Sequence, residues 1–98
     1  MNPETKIQNE IIDYLNSQKI PNWRMSGSLN LGGFPDILVC SRGEFIAMEV
    51  KTEKGKPTDQ QLKVMNDIRT YGKGKAGVVR SVEDAKSLIE HGWGDTVW

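Results

Sequence analysis

Apolar residues recur at Ile7, Ile11, Ile12, Tyr14 and Leu15, a spacing that predicts an amphipathic helix capped by Asn2 or Thr5 and ended before Ile20-Pro21. At 100° per residue Glu4 and Gln8 fall within that apolar stripe, whereas Glu10 and Asp13 fall outside it. Two polar side chains one turn apart therefore point inward, although an acid such as Glu4 also suits a helix N-terminus for its own sake. Asn22 to Met25 reads as a short strand leading into a Ser-, Asn- and Gly-rich segment, Ser26 to Gly33. Two apolar runs follow, Asp36-Ile37-Leu38-Val39-Cys40 and Phe45-Ile46-Ala47-Met48-Glu49-Val50-Lys51, separated by the turn sequence Ser41-Arg42-Gly43-Glu44. They predict a hairpin. In the second strand Ile46, Met48 and Val50 would take one face and Phe45, Ala47, Glu49 and Lys51 the other.

Beyond a lysine-rich connection from Thr52 to Pro57, Thr58 is a good N-cap for a helix from Asp59 to about Tyr71, stopped by Gly72. Its inward stripe is Leu62, Met65 and Ile68, and Gln61 projects into that stripe while Gln60 does not. Lys73-Gly74-Lys75 reads as a basic, mobile link into a strand, Ala76 to Arg80, and Ser81 caps a last helix that ends near His91-Gly92. His91 is read as a residue favoured by the helix C-terminus rather than as a ligand. The tail carries Trp93 and Trp98, which would cover the core or make a dimer contact. The order α-β-β-β-α-β-α predicts a mixed α/β (α+β) sheet flanked by helices, in one domain spanning residues 1–98.

Composition narrows the class. With 37% apolar and 27% charged residues the chain is expected to be globular and soluble. Glu4, Glu10 and Asp13 interrupt any secretory signal, and no stretch approaches the roughly 20 apolar residues of a membrane span. Cys40 is the sole cysteine and is expected in a buried strand, so an intrachain disulfide is excluded and an intracellular location is expected; a virus or phage origin would fit. The formal net charge is zero but unevenly spread: residues 51–80 carry +5, against −2 before and −3 after. A basic middle would suit phosphates, and equally would be ordinary solvated charge.

The chemistry concentrates at Asp36, Glu49 and Lys51, which a hairpin would bring together at one end. Leaving such charges unpaired in a core costs several kcal/mol, comparable to a small domain's whole stability. They need a partner, a metal or a function. Two converging carboxylates form a hard oxygen site suited to Mg²⁺ or Mn²⁺, and an adjacent ammonium could position a water and neutralise charge on a phosphate. A mutually satisfied ion cluster is the plain alternative.

Pro35-Asp36 with Glu49-Val50-Lys51 resembles the PD-(D/E)xK nuclease signature of the restriction-endonuclease-like fold. Glu4 and Gln8 in the leading helix, Ser26-Gly27, Gly33-Phe34-Pro35-Asp36, Gln61 and the Gly-rich link into Val78-Val79-Arg80-Ser81 are similar to the virus-type replication-repair nuclease (VRR-NUC) domain in its stand-alone minimal form. The resemblance implies a mixed sheet flanked by helices and Mg²⁺- or Mn²⁺-dependent DNA cleavage in replication, recombination or repair, with one or two ions per site. It implies Asp36, Glu49 and the Val50 carbonyl as metal ligands and Lys51 as the residue that positions the attacking water. Gln61 would support the site or touch phosphate, and Glu4 would contact a second metal or its waters, unless Gln8 takes that place and a one-metal mechanism follows. It further implies a homodimer acting on branched DNA such as a four-way (Holliday) junction, with Ser26, Lys54, Lys56, Lys63, Lys73 and Lys75 as DNA contacts. A nuclease without junction preference and a non-catalytic nucleic-acid-binding module of the same fold are the alternatives.

Overall fold

The computed structural model describes residues 2–25 and 32–92. Helix α1 (Pro3–Ser17) starts where the Asn2 side chain accepts from the Thr5 amide at 3.0 Å, with proline in the first turn, where its missing N–H costs nothing. It ends in a Schellman motif: Ile20 N donates to Leu15 O at 2.9 Å and Lys19 N to Asn16 O at 3.0 Å. The residue in the left-handed position is Lys19, at φ 56°, where glycine is the usual choice.

Strand β1 (Asn22–Arg24) pairs antiparallel with β2 (Ile37–Ser41), and β2 pairs antiparallel with β3 (Glu44–Val50) across the predicted turn. Arg42 and Gly43 close that turn with φ of 53° and 80°. Helix α2 (Asp59–Thr70) then crosses over to β4 (Lys75–Val79), which pairs with β3 in parallel, so the sheet order is β1-β2-β3-β4. Helix α3 (Val82–His91) closes the described chain. Ser81 Oγ caps it by accepting from the Asp84 amide, and Asp84 Oδ2 accepts from the amide of Arg80, the residue before the cap.

The alternation of β3 separates two cores. Ile46, Met48 and Val50, with Ile37, Val39 and Val79, pack on Ile11 and Leu15 of α1 and Ala85 and Leu88 of α3. On the other face Ala47, Ala76 and Val78 meet Met65 of α2, with Leu62 and Ile68 at the edge. Among the described residues α2 is the one helix on that face, and Trp23 and Phe45 stay about half exposed. Cys40 departs from its expected burial: it is exposed, because it shares a register position with Phe45 on the part of the α2 face that the helix does not cover. Among the described residues no helix is long and apolar enough to cross a membrane.

Candidate active site

Register does the first part of the assembly. Ile37 lies opposite Met48, so Asp36, one residue earlier, reaches the level of Glu49 on the α2 face. The Asp36 main chain is held by a bond from Met25 N to its carbonyl at 2.7 Å, which extends the β1–β2 ladder. Its carboxylate turns across to β3, where Oδ2 accepts from the Val50 amide at 2.8 Å. Glu49 stands beside it, fully buried, at 2% exposure.

Helix α2 supplies the third side. Thr58 Oγ1 accepts from the Gln61 amide at 3.1 Å and Gln61 Oε1 accepts from the Thr58 amide at 2.8 Å, a capping box. With its oxygen so occupied, the Gln61 side chain presents Nε2 to Glu49 Oε2, at 3.1 Å. The Lys51 ammonium stands 3.5 Å from the same oxygen and is 15% exposed. Asp36, Glu49, Lys51 and Gln61 are thus gathered between two strand ends and the first turn of a helix.

The electrostatics of this group are unbalanced. Burial pushes the Glu49 carboxyl up to about 8, the neighbouring Asp36 charge adds to the rise, and Lys51 offsets only part of it. Asp36 and Glu49 are both acceptors when ionised, so a hydrogen bond between them needs a proton on one. Glu49 Oε1 is buried with no hydrogen-bond partner. An orphaned buried oxygen beside a second carboxylate is the feature that a hard divalent cation would satisfy, and this all-oxygen donor set fits Mg²⁺ or Mn²⁺. Among the described residues no group of three His, Cys, Asp or Glu side chains forms a metal cluster, so Glu4 does not complete a carboxylate triad there. Further ligands would have to be main-chain carbonyls or waters, as Mg²⁺ commonly accepts.

The remaining expected residues lie along α1, α2, β4 and the connecting loops. Glu4 lies half-buried in the first turn of α1, and Gln8, one turn on, is buried at 6% exposure. Lys54 and Lys56 are exposed in the loop after Lys51, and Lys63 is exposed on α2, 2.9 Å from Asp67. Lys73 is exposed, at φ 59°. Lys75 lies opposite Ile46, three residues along β3 from Glu49 and so roughly 10 Å down the sheet. There it bonds Glu44 Oε1 at 3.0 Å and the Ile89 carbonyl at 2.6 Å. Ser26 and the tryptophans at 93 and 98 lie outside the described residues. His91 ends α3 as expected, 3.7 Å from Glu90.

Two contributors were missed by the periodicity. Gln60, which the 100° projection leaves off the inward stripe, covers the segment before Asp36: a Cβ on Gly33 would fall 2.7 Å from Gln60 Cγ and 2.9 Å from its carbonyl oxygen. Gly33 has φ 75°, so this glycine serves a left-handed turn and close helix packing rather than ligand approach alone. Arg80 is the other. Its position, just past an apolar strand and just before a helix cap, marks it only as a boundary residue.

No family model and no curated protein matches the sequence. A solved structure described as a VRR_NUC domain does match, with a TM-score of 0.76 at 29% identity, over 93% of this chain and 98% of that one. Near-complete mutual coverage, together with Pro35-Asp36 and Glu49-Val50-Lys51 meeting at facing strand ends, makes this chain similar in fold and site layout to a VRR-NUC domain.

Proposed function

We propose that this nuclease-family domain is a Mg²⁺- or Mn²⁺-dependent deoxyribonuclease that hydrolyses phosphodiester bonds at Asp36, Glu49 and Lys51, with branched DNA such as a four-way junction as its substrate. The observation that carries the reading is Glu49, a buried carboxylate with one oxygen held by Gln61 and Lys51 and the other without a partner. A group this costly to bury is retained for what it binds.

Asp36 and Glu49 would hold the ion, with the Val50 carbonyl as a third protein ligand. When bound, the ion would supply Lewis acidity toward a phosphate oxygen and a lowered pKa for its water. Gln61 keeps the Glu49 carboxylate in one orientation by holding Oε2, which leaves Oε1 for the ion. Lys51 would donate to the attacking water and neutralise charge developing on the phosphate, an effect strengthened where burial excludes solvent. One ion is the reading favoured by a site of two carboxylates; Glu4 would act on a second ion or its waters.

Lys54, Lys56, Lys63 and Lys73 are exposed and available for phosphate contacts, with Lys75 free to join them only by leaving Glu44. Binding should then weaken steeply with salt. A four-way junction requires two symmetric cuts, which a homodimer would provide. Sedimentation equilibrium at micromolar concentration should show the dimer, and a monomer throughout would count against it.

The deciding assay incubates the protein with labelled linear, flapped, splayed and four-way-junction DNA under Mg²⁺, Mn²⁺ or chelator, beside Asp36→Ala and Lys51→Ala. Metal-dependent cutting that both substitutions abolish is expected, strongest on branched substrates. Absence of cutting on every substrate would overturn the enzyme reading, and equal cutting of all would remove the junction preference.

A further inference from the structure

The loop that follows Lys51 is wrapped around a single nitrogen. Arg80 Nη1 donates to the carbonyls of Thr52 at 2.5 Å, Gly55 at 2.6 Å and Glu53 at 3.2 Å. Three carbonyl oxygens crowded at one point repel each other through their partial negative charge, and a delocalised cation among them reverses the sign of that interaction. The guanidinium is anchored in turn. Arg80 directly follows Val79, whose carbonyl accepts from Lys51 N at 3.1 Å, and its own amide donates to Asp84 Oδ2 at 2.9 Å at the start of α3.

The curl this produces folds back on Lys51. A Cβ on Gly55 would stand 3.5 Å from both Cβ and Cδ of Lys51, so the loop backbone runs along the aliphatic stem of that lysine. The stem has a wall on one side, and its ammonium meets Glu49 at the far end. Lysine otherwise carries four rotatable bonds and little reason to hold one rotamer.

We propose that Arg80 is a positioning residue for Lys51: by gathering the carbonyls of residues 52, 53 and 55 it fixes the loop that holds the lysine stem, and so sets the ammonium beside Glu49. This rests on the nuclease reading for the role of Lys51, but the pinning of the loop is a separate physical fact with its own readout.

The test compares wild type with Arg80→Met, which keeps an apolar stem and removes the charge, and Arg80→Lys, whose ammonium has three donors for the three carbonyls. Trypsin reports on the loop: Lys56, followed by Pro57, is not cut, and the Lys54–Gly55 bond becomes a good site only when the loop opens. Arg80→Met should be cut there at least about tenfold faster at unchanged far-UV circular dichroism, and kcat should fall about 10- to 100-fold while KM moves less than about threefold, as expected of a displaced group rather than lost binding. Arg80→Lys should recover much of both. If Arg80→Met does not fold, Arg80→Gln against Arg80→Lys gives the same contrast between an uncharged and a charged donor. Unchanged trypsin cleavage, a retained kcat, or a loss confined to KM would overturn the proposal. If wild type cuts no DNA with any metal, the nuclease reading fails while the trypsin comparison still decides whether Arg80 pins the loop.

Discussion

Gln61 steadies Glu49 with the same side chain that starts its own helix: Nε2 donates to Glu49 Oε2 at 3.1 Å while Oε1 accepts from the Thr58 amide at 2.8 Å. The position of α2 and the orientation of the buried carboxylate are therefore coupled through one amide group. Gln61→Ala should cost about 1–3 kcal/mol of stability, from the lost cap and the second bond removed from Glu49. Gln61→Glu preserves a capping box but sets a third carboxylate against Glu49 and Asp36. Thermal unfolding in chelator should show it less stable than its helix propensity implies, and added Mn²⁺ should restore more stability to it than to wild type.

The raised Glu49 pKa gives a stability slope of definite sign. Because its folded value of about 8 lies above the ordinary 4.5, the folded protein holds a proton that the unfolded chain has released, and the site's contribution to stability falls as pH rises between those values. Denaturant unfolding in chelator should show a loss on the order of a few kcal/mol from pH 5 to pH 8, beyond that of Glu49→Gln. Saturating Mg²⁺ or Mn²⁺ should flatten the slope, since binding favours the ionised carboxylate. Equal slopes in wild type and Glu49→Gln would remove the assignment.

Gly33 and Gly43 have nearly the same left-handed φ, 75° and 80°, in different surroundings. A Cβ at Gly43 would meet nothing within 4 Å, whereas at Gly33 it would strike Gln60 at 2.7 Å. Gly43→Ala should therefore cost only the backbone strain of about 1–2 kcal/mol, and Gly33→Ala that amount plus a displacement of α2. Equilibrium unfolding measures the difference, and only Gly33→Ala should also weaken metal-induced stabilisation.

Lys19 occupies the left-handed position of the α1 Schellman motif at φ 56°. Lys19→Gly should raise stability by about 0.5–1 kcal/mol with no change at the site, because glycine adopts that conformation without the Cβ penalty. Chemical denaturation resolves a change of this size.

Glu4 and Gln8 separate by burial. Glu4→Ala should leave the DNA cleavage rate within about threefold, as expected if one ion held by Asp36 and Glu49 suffices. Gln8→Ala, which removes a buried polar side chain, should cost about 1–3 kcal/mol in unfolding experiments. A large activity loss in Glu4→Ala at full stability would instead support a second ion.

Most of the fold was legible because its signals are local. The period of two in Phe45 to Lys51 assigned Ile46, Met48 and Val50 to one core and Glu49 to the opposite face, and the caps at Asn2, Thr58 and Ser81 began helices where their hydroxyls and carboxamide accept from the first-turn amides. A charged triplet in an apolar run announces its cost in any sequence, so Asp36, Glu49, Lys51 and the inward Gln61 could be named before any contact was known. What periodicity cannot carry is distance between elements. That Cys40 is exposed follows from α2 covering only part of its sheet face, that Gln60 rather than solvent fills the space over Gly33 follows from how closely that helix approaches, and that Lys75 is drawn to Glu44 and Ile89 follows from its place at the far end of the sheet. Arg80 is the clearest case: 25 residues separate it from Gly55, and only the parallel pairing of β3 with β4 brings its guanidinium to the loop that holds Lys51. The charged cluster at Asp36, Glu49 and Lys51 was thus specified by the sequence itself, through the free energy its burial costs. Its geometry, and the groups that hold it, were decided by strand register and helix packing, which depend on chain segments that meet only in the folded molecule.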